Sequence, residues 1–288
     1  MAVDILQEKI RKTKNPSVLE LTVSLHDLPE KFSRDAVGYG AFCRELLTGL
    51  KGLVPAVRIS FGFFALLGPD GMTQLCGVLN FAREQGYYVL LDTPELLSIS
   101  VANAAAEALL GERSEYPCDG VVISGYLGSD VIKPFLPYCK TGKKDVFVVA
   151  RTANKSASEL QDLLAGSRLV HTVAADHVNR YGAETAGKFG YTRVGVLASA
   201  SYADGLRTLR SKYPKLFLLL DGYDYPNANA KNCSHAFDKF GHGAAACAGI
   251  SITCAWKQVE TEKEDYISHA IAAAERVKKN LTRYVTIL

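Results

Sequence analysis

Residues Tyr87 to Ser100 read YYVLLDTPELLSIS. Tyr87–Leu91 is a short apolar run that follows Gly86 and stops at Asp92, with Pro94 two residues on. Aromatic and β-branched residues without alternation predict a strand buried on both faces, and a proline without an N–H ends it. Asp92 is the first polar side chain at the C-terminal end of that strand, the end at which parallel α/β proteins build their sites. Its bland alternative is an end-of-strand residue, or a cap for a helix starting near Ser100.

Outward from this strand the same unit repeats. Apolar runs begin near residues 17, 55, 87, 120, 145, 193, 216 and 243 and alternate with helical patterns. Helices are expected over 33–53 (N-cap Ser33), 72–85 (capped by Asp70), 100–110, 128–137, 156–164, 169–189, 201–212, 234–240 and 264–284. A polar loop is expected over 223–233. Val3, Leu6 and Ile10 predict an additional amphipathic helix over 2–14, covering one end of the body. Continuous apolar strands fit a parallel sheet covered on both sides. Eight repeats favour a closed barrel over an open doubly wound sheet, and no GxGxxG or GxxxxGK[ST] motif follows any strand. The expectation is an α/β fold, a single (β/α)8 TIM barrel over residues 1–288 with an extra N-terminal helix.

Composition narrows the function classes. The net charge is +3 with charges interspersed, which suggests neither nucleic acid nor a membrane surface as partner. The first fourteen residues carry six charges and no apolar core of a signal peptide, and no eighteen-residue apolar run exists. Seven scattered cysteines without a CxxC read as reduced core thiols of a cytoplasmic protein. No Cys/His cluster predicts a metal, and no cofactor is expected.

In a barrel the site comes from residues just after the strands. These are Glu20 and Thr22, Arg58 and Ser60, Asp92 and Glu95, Ser124, Arg151 with Thr152 and Asn154, Ser199 and Ser201, Asp221 and Asp224, and Ser251 and Thr253. The mouth is polar, with two arginines, several carboxylates and no lysine. Arg58 lies between Val57 and Ile59 in an apolar strand, so a buried guanidinium there needs a partner. Asp92 on the neighbouring strand is the obvious one; the alternative is bidentate capture of a ligand carboxylate or phosphate.

His26-Asp27-Leu28-Pro29-Glu30, after the first strand, and Ala65-Leu66-Leu67-Gly68-Pro69-Asp70-Gly71, after the second, resemble the corresponding stretches of the orotidine 5′-monophosphate decarboxylase family of the longer bacterial type. Gly125-Tyr126-Leu127-Gly128-Ser129-Asp130 with Ile132-Lys133-Pro134-Phe135-Leu136 resembles the segment after the fourth strand. Arg151-Thr152-Ala153-Asn154 with Ser158–Leu163 resembles the TSN segment and the helix after it. These matches run in order over nearly the whole chain. They imply a (β/α)8 barrel, a homodimer, and sites completed by the partner subunit.

The resemblance does not extend to the chemistry. The family carries Asp-x-Lys-x-x-Asp after the third strand, whereas this chain has Asp92-Thr93-Pro94-Glu95-Leu96-Leu97. Thr22 stands at the first-strand aspartate, Arg58 at the second-strand lysine, and Ile250 at the phosphate-binding arginine. Gly222 is what remains of the glycine-rich phosphate loop, and Ala153 replaces the serine of TSN. The family's lysine protonates the carbanion left by CO2, and neither proline nor leucine can do so; a lysine such as Lys231 would have to reach in. The resulting expectation is a family barrel that has lost decarboxylation. It would bind a small phosphorylated or nucleotide-like ligand, or act as a non-catalytic partner, including in a mixed oligomer with an active homologue. The alternatives are an active decarboxylase, or other chemistry rebuilt from Arg58, Asp92, Glu95, Arg151 and Asp221. Candidate catalytic residues are Asp92, Arg58 and Glu95; candidate ligand-binding residues are Thr22, Arg151, Thr152, Asn154, Gly222 and Asp221.

Overall fold

The computed structural model describes residues 2–94, 98–259 and 265–288. Eight parallel strands close a barrel in chain order: Ser17–Leu21, Ala56–Ser60, Tyr88–Asp92, Gly120–Ser124, Asp145–Val149, Thr192–Ser199, Leu216–Asp221 and Ala244–Ala248. The first and eighth strands pair in parallel, Leu19 opposite Ala248, which closes the ring. All five residues of the third strand and all eight of the sixth are buried. Lining by one face and helix cover on the other explains why these strands carry no polar–apolar alternation. The expected (β/α)8 architecture is therefore present, with the third strand running one residue later than the sequence suggests and including Asp92 itself.

Several local expectations are corrected. The helix after the first strand is Ala36–Gly49, and its N-cap is Asp35 rather than Ser33. Asp35 Oδ1 accepts from the Gly38 N–H at 2.8 Å, while Ser33 donates its hydroxyl to the same carboxylate. Asp70 lies inside the first turn of the helix Gly68–Glu84 and is not its cap. Residues 156–164 form a 3-10 turn (Lys155–Glu159) followed by a ribbon pairing Leu164–Ala165 with Arg168–Leu169. The long helix after it stops at Gly182. The expected polar loop contains a short helix, Ala230–Ser234, begun by the Asn229 side chain accepting from the Asn232 N–H. In that stretch a cap outweighed Pro226 and three asparagines, which pattern reading assigns to loop.

The N-terminal helix, Ala2–Thr13, lies against the strand starts with Val3, Leu6 and Ile10 buried as their spacing predicts. Two polar side chains on the same face are buried as well. Asp4 accepts from the Phe189 N–H at 3.2 Å and pairs with Arg193 at 3.4 Å, and Gln7 accepts from the Gly243 N–H at 3.0 Å. All seven cysteines are unpaired and six are buried. Among the described residues, no helix is long and apolar enough to cross a membrane.

Asp145 opens the fifth strand with no solvent exposure and accepts a hydrogen bond from the Tyr88 hydroxyl. Burial pushes its carboxyl up to about 8, against the pull of the Tyr88 and Val3 hydrogen bonds and of Arg193. Its folded-state pKa is thus above its unfolded one. Its contribution to stability is complete below about pH 4 and is lost as pH rises through about 8. Asp145→Asn keeps an acceptor for Tyr88 and removes the charge. Urea midpoints measured at pH 5 and pH 8 should fall between the two pH values in the wild type and change less in the variant.

Candidate active site at the barrel mouth

The second strand, Ala-Val-Arg-Ile-Ser, places Arg58 on the barrel's inner face. Its register neighbours on either side are Glu20 and Leu90, so all three side chains share one layer. Asp92, two residues beyond Leu90, points the same way, and Asp221 ends the seventh strand across the barrel. Arg58 is 6% exposed. Its Nη2 donates to Asp92 Oδ2 at 2.7 Å and its Nη1 to Asp221 Oδ1 at 2.6 Å, with Glu20 Oε1 at 3.4 Å from Nη1. The expected Arg58–Asp92 pair exists, as part of a larger cluster in which one guanidinium holds three carboxylates from three strands.

One cation against three carboxylates leaves surplus negative charge where water is scarce. Burial pushes Glu20 up to about 7, with Asp221 and Asp92 adding to the shift and Arg58 opposing it. Asp92 is likewise raised, by burial first, against the attraction of Arg58. Burial alone would loosen the Arg58 proton, but Asp92, Glu20 and Asp221 outweigh it and leave Arg58 permanently charged.

Against this cluster lies a cavity of about 340 Å3. Glu20, Asp221 and Asp224 supply its charge, Phe63, Tyr223 and Tyr225 its rings, and Thr22, Gly222 and Ile250 also line it. Its described lining contains no lysine or arginine. Asp224 Oδ2 accepts from the backbone N–H groups of Gly249 at 2.7 Å and Ser251 at 3.2 Å. The amides that open the turn after the eighth strand are thereby occupied by the chain's own carboxylate. Gly222 has φ +74°, and a Cβ there would lie 2.2 Å from that of Ala153. A tight turn and a close neighbour are sufficient local reasons for glycine at this position.

The remaining candidates lie apart from the cavity. Arg151 forms a two-pronged pair with Asp162, both contacts at 2.8 Å, and its guanidinium stacks 4.4 Å from the centre of the Tyr202 ring. The Thr152 N–H donates to Gln161 at 2.8 Å, and the Thr152 hydroxyl donates to Asn154 at 2.5 Å. These three residues tie down the loop after the fifth strand. Glu95 lies outside the described residues. Lys231 lines a different cleft, outside the mouth. Glu20 as a third partner of Arg58, and the aromatic wall, were missed by strand-end reading. Counting parity along Val18-Leu19-Glu20 would have placed Glu20 inward. Among the described residues, no group of three or more His, Cys, Asp or Glu side chains could hold a metal ion.

Arg58→Met leaves Glu20, Asp92 and Asp221 facing one another without a cation. Removing one partner from a buried ion cluster costs about 3–5 kcal/mol. The expected loss is largest above pH 7, where Glu20 is ionised, and shrinks as pH falls through about 7 and Glu20 takes up its proton. Urea denaturation of both proteins at pH 5.5 and 8 measures this, and equal stability at pH 8 would contradict it.

No family model matches the chain. Among curated proteins, one from Rhodopirellula baltica named orotidine 5′-phosphate decarboxylase is 30% identical over 279 residues, 95% of this chain and 90% of that one. A protein of the same name from Clostridium perfringens is 28% identical over 268 residues, 91% and 92% of the two chains. Among solved structures, the Leishmania donovani OMP decarboxylase superposes with a TM-score of 0.75 at 20% identity, covering 97% of this chain and 99% of that one.

Proposed function

Because the chain belongs to the orotidine 5′-phosphate decarboxylase family, we propose that it is a member that has given up decarboxylation while keeping the barrel. The observation that carries this reading is Arg58, buried and held by Glu20, Asp92 and Asp221 beside a mouth cavity that no described lysine lines. Decarboxylation leaves a carbanion that must be protonated, and by the resemblance the family does this with a lysine at the position of Pro94. A missing general acid costs about 10²–10⁴ in rate. Arg58 does not replace it, because three carboxylates hold its proton more firmly than water would.

The electrostatics of the mouth support the same reading. A substrate of that reaction carries a carboxylate and a phosphate. Here it would meet Glu20, Asp221 and Asp224 in a partly desolvated cavity, and like charges repel more strongly there than in water. Asp224 holds the two amides after the eighth strand, so an incoming phosphate would first have to displace it. Asp92, the one residue kept from the family's Asp-x-Lys-x-x-Asp set, serves as a counter-ion to Arg58. The role left to the chain is that of a binding protein for a small phosphorylated molecule, or of a non-catalytic partner.

Purified protein mixed with orotidine 5′-monophosphate, followed by loss of substrate absorbance, is expected to show no turnover above the uncatalysed rate. Turnover comparable to that of the curated relatives, measured side by side, would overturn the proposal.

A further inference from the structure

We infer that the cleft between the short helix Ala230–Ser234 and the end of the last helix, Tyr266–Thr282, is a second binding site, built for a small molecule bearing a phosphate group. The cavity there measures about 500 Å3, within the range of small-molecule sites. Lys231 enters it from the short helix and Arg283 from just beyond the last helix. Asn229, Asn280, Tyr223 and Tyr284 complete the polar and aromatic lining.

Three features favour an anion. No aspartate or glutamate is among the described residues lining the cleft, so an anion meets no opposing charge at its wall. Among the described residues, neither Lys231 nor Arg283 is within salt-bridge distance of a carboxylate, whereas Lys31, Lys140, Lys188 and Lys257 each are. The last helix adds Arg276, Lys278 and Lys279 against a single nearby acid, Glu275. Arg276, Asn280 and Arg283 succeed one another at four and three residues and so share the face that carries the cleft.

A phosphate suits this geometry better than a carboxylate. Its oxygens can bridge two cations that come from separate elements, the guanidinium offering a fork and the ammonium a point charge. Asn280 adds an amide that can donate to a phosphate oxygen. Tyr284, 48% exposed, and Tyr223 present ring surface to whatever the phosphate is attached to. Tyr223 also lines the mouth cavity, so the two cavities share a wall and carry opposite charge. This inference does not require the mouth to be inactive, because none of the charged residues of the cleft lines the mouth.

Titration calorimetry with inorganic phosphate and with uridine 5′-monophosphate, using uridine as the phosphate-free control, tests it. The wild type should bind both phosphate-bearing probes and not uridine, and binding should weaken with added salt. Lys231→Ala and Arg283→Ala should each weaken binding by about tenfold or more, since each removes a charge-assisted contact, and the double variant should abolish it. Both residues are exposed, and unchanged thermal melts would show that the variants are folded. Glu20→Gln, in the mouth, should leave phosphate binding unchanged. The inference is overturned if the wild type binds neither phosphate probe at millimolar concentration, or if the double variant binds as the wild type does. It is equally overturned if Glu20→Gln rather than the cleft variants alters binding, since the phosphate would then sit in the mouth. Turnover in the decarboxylation assay with cleft binding intact would overturn the function proposed above and leave this inference standing.

Discussion

A buried guanidinium has to be neutralised, and at Arg58 the neutralising groups come from three strands at once. Asp92 and Asp221 stand on opposite sides of the ring, so their common partner ties the third strand to the seventh across the barrel interior. Two direct contacts engage the terminal nitrogens of the guanidinium, and the third carboxylate, Glu20, adds surplus negative charge. Burial first, and that surplus after it, is why Glu20 holds its proton up to near neutrality. The described lining of the mouth is accordingly acidic, with Glu20, Asp221 and Asp224 and neither lysine nor arginine. Elements that look independent, namely a strand-end pairing, a raised pKa and the charge of the mouth, meet at one arginine in an apolar strand.

The barrel and its chemistry are separable. Backbone closure and helix packing depend chiefly on apolar side chains and strand register, which many residue types at the strand ends can accommodate. About 30% identity along the length of a named enzyme therefore speaks for the shared barrel, while the chemistry has to be argued from the few side chains at the strand ends. Asp224 is a local instance. Two amides that could receive a ligand anion have been given an internal carboxylate, which satisfies the backbone at the cost of that binding option.

Sequence reading recovered the barrel because each strand is buried on both faces and each is punctuated by Gly, Pro or Asp. The Tyr88–Asp92 strand is the plainest example. It recovered the Arg58–Asp92 pair because a lone arginine in an apolar strand has few possible partners. Glu20 was counted at the mouth but not joined to Arg58, since that requires the register between the first two strands, which no local pattern specifies. The positions of Arg151, Thr152 and Asn154 were also out of reach. They depend on Gln161 and Asp162 in a loop whose helical composition was overridden by hydrogen bonds to the strand end. Helix ends shifted wherever a cap, such as Asp35 or Asn229, was not the residue nearest the apolar pattern.

The N-terminal helix has a consequence for how the chain acquires its structure. Asp4 and Gln7 are satisfied by Phe189, Arg193 and Gly243, partners nearly two hundred residues or more further along. During synthesis this helix, made before any of the eight strands, is thus among the last elements to be fully seated. The seats of Asp4 and Gln7 are incomplete until the segments leading into the sixth and eighth strands exist. Loop-closure entropy makes such distant contacts slow to form, and a helix not yet fully seated is a point at which a half-made chain can associate with others. The same contacts act as a latch: once residues 4 and 7 are seated, the first helix is tied to the segments at the starts of the sixth and eighth strands.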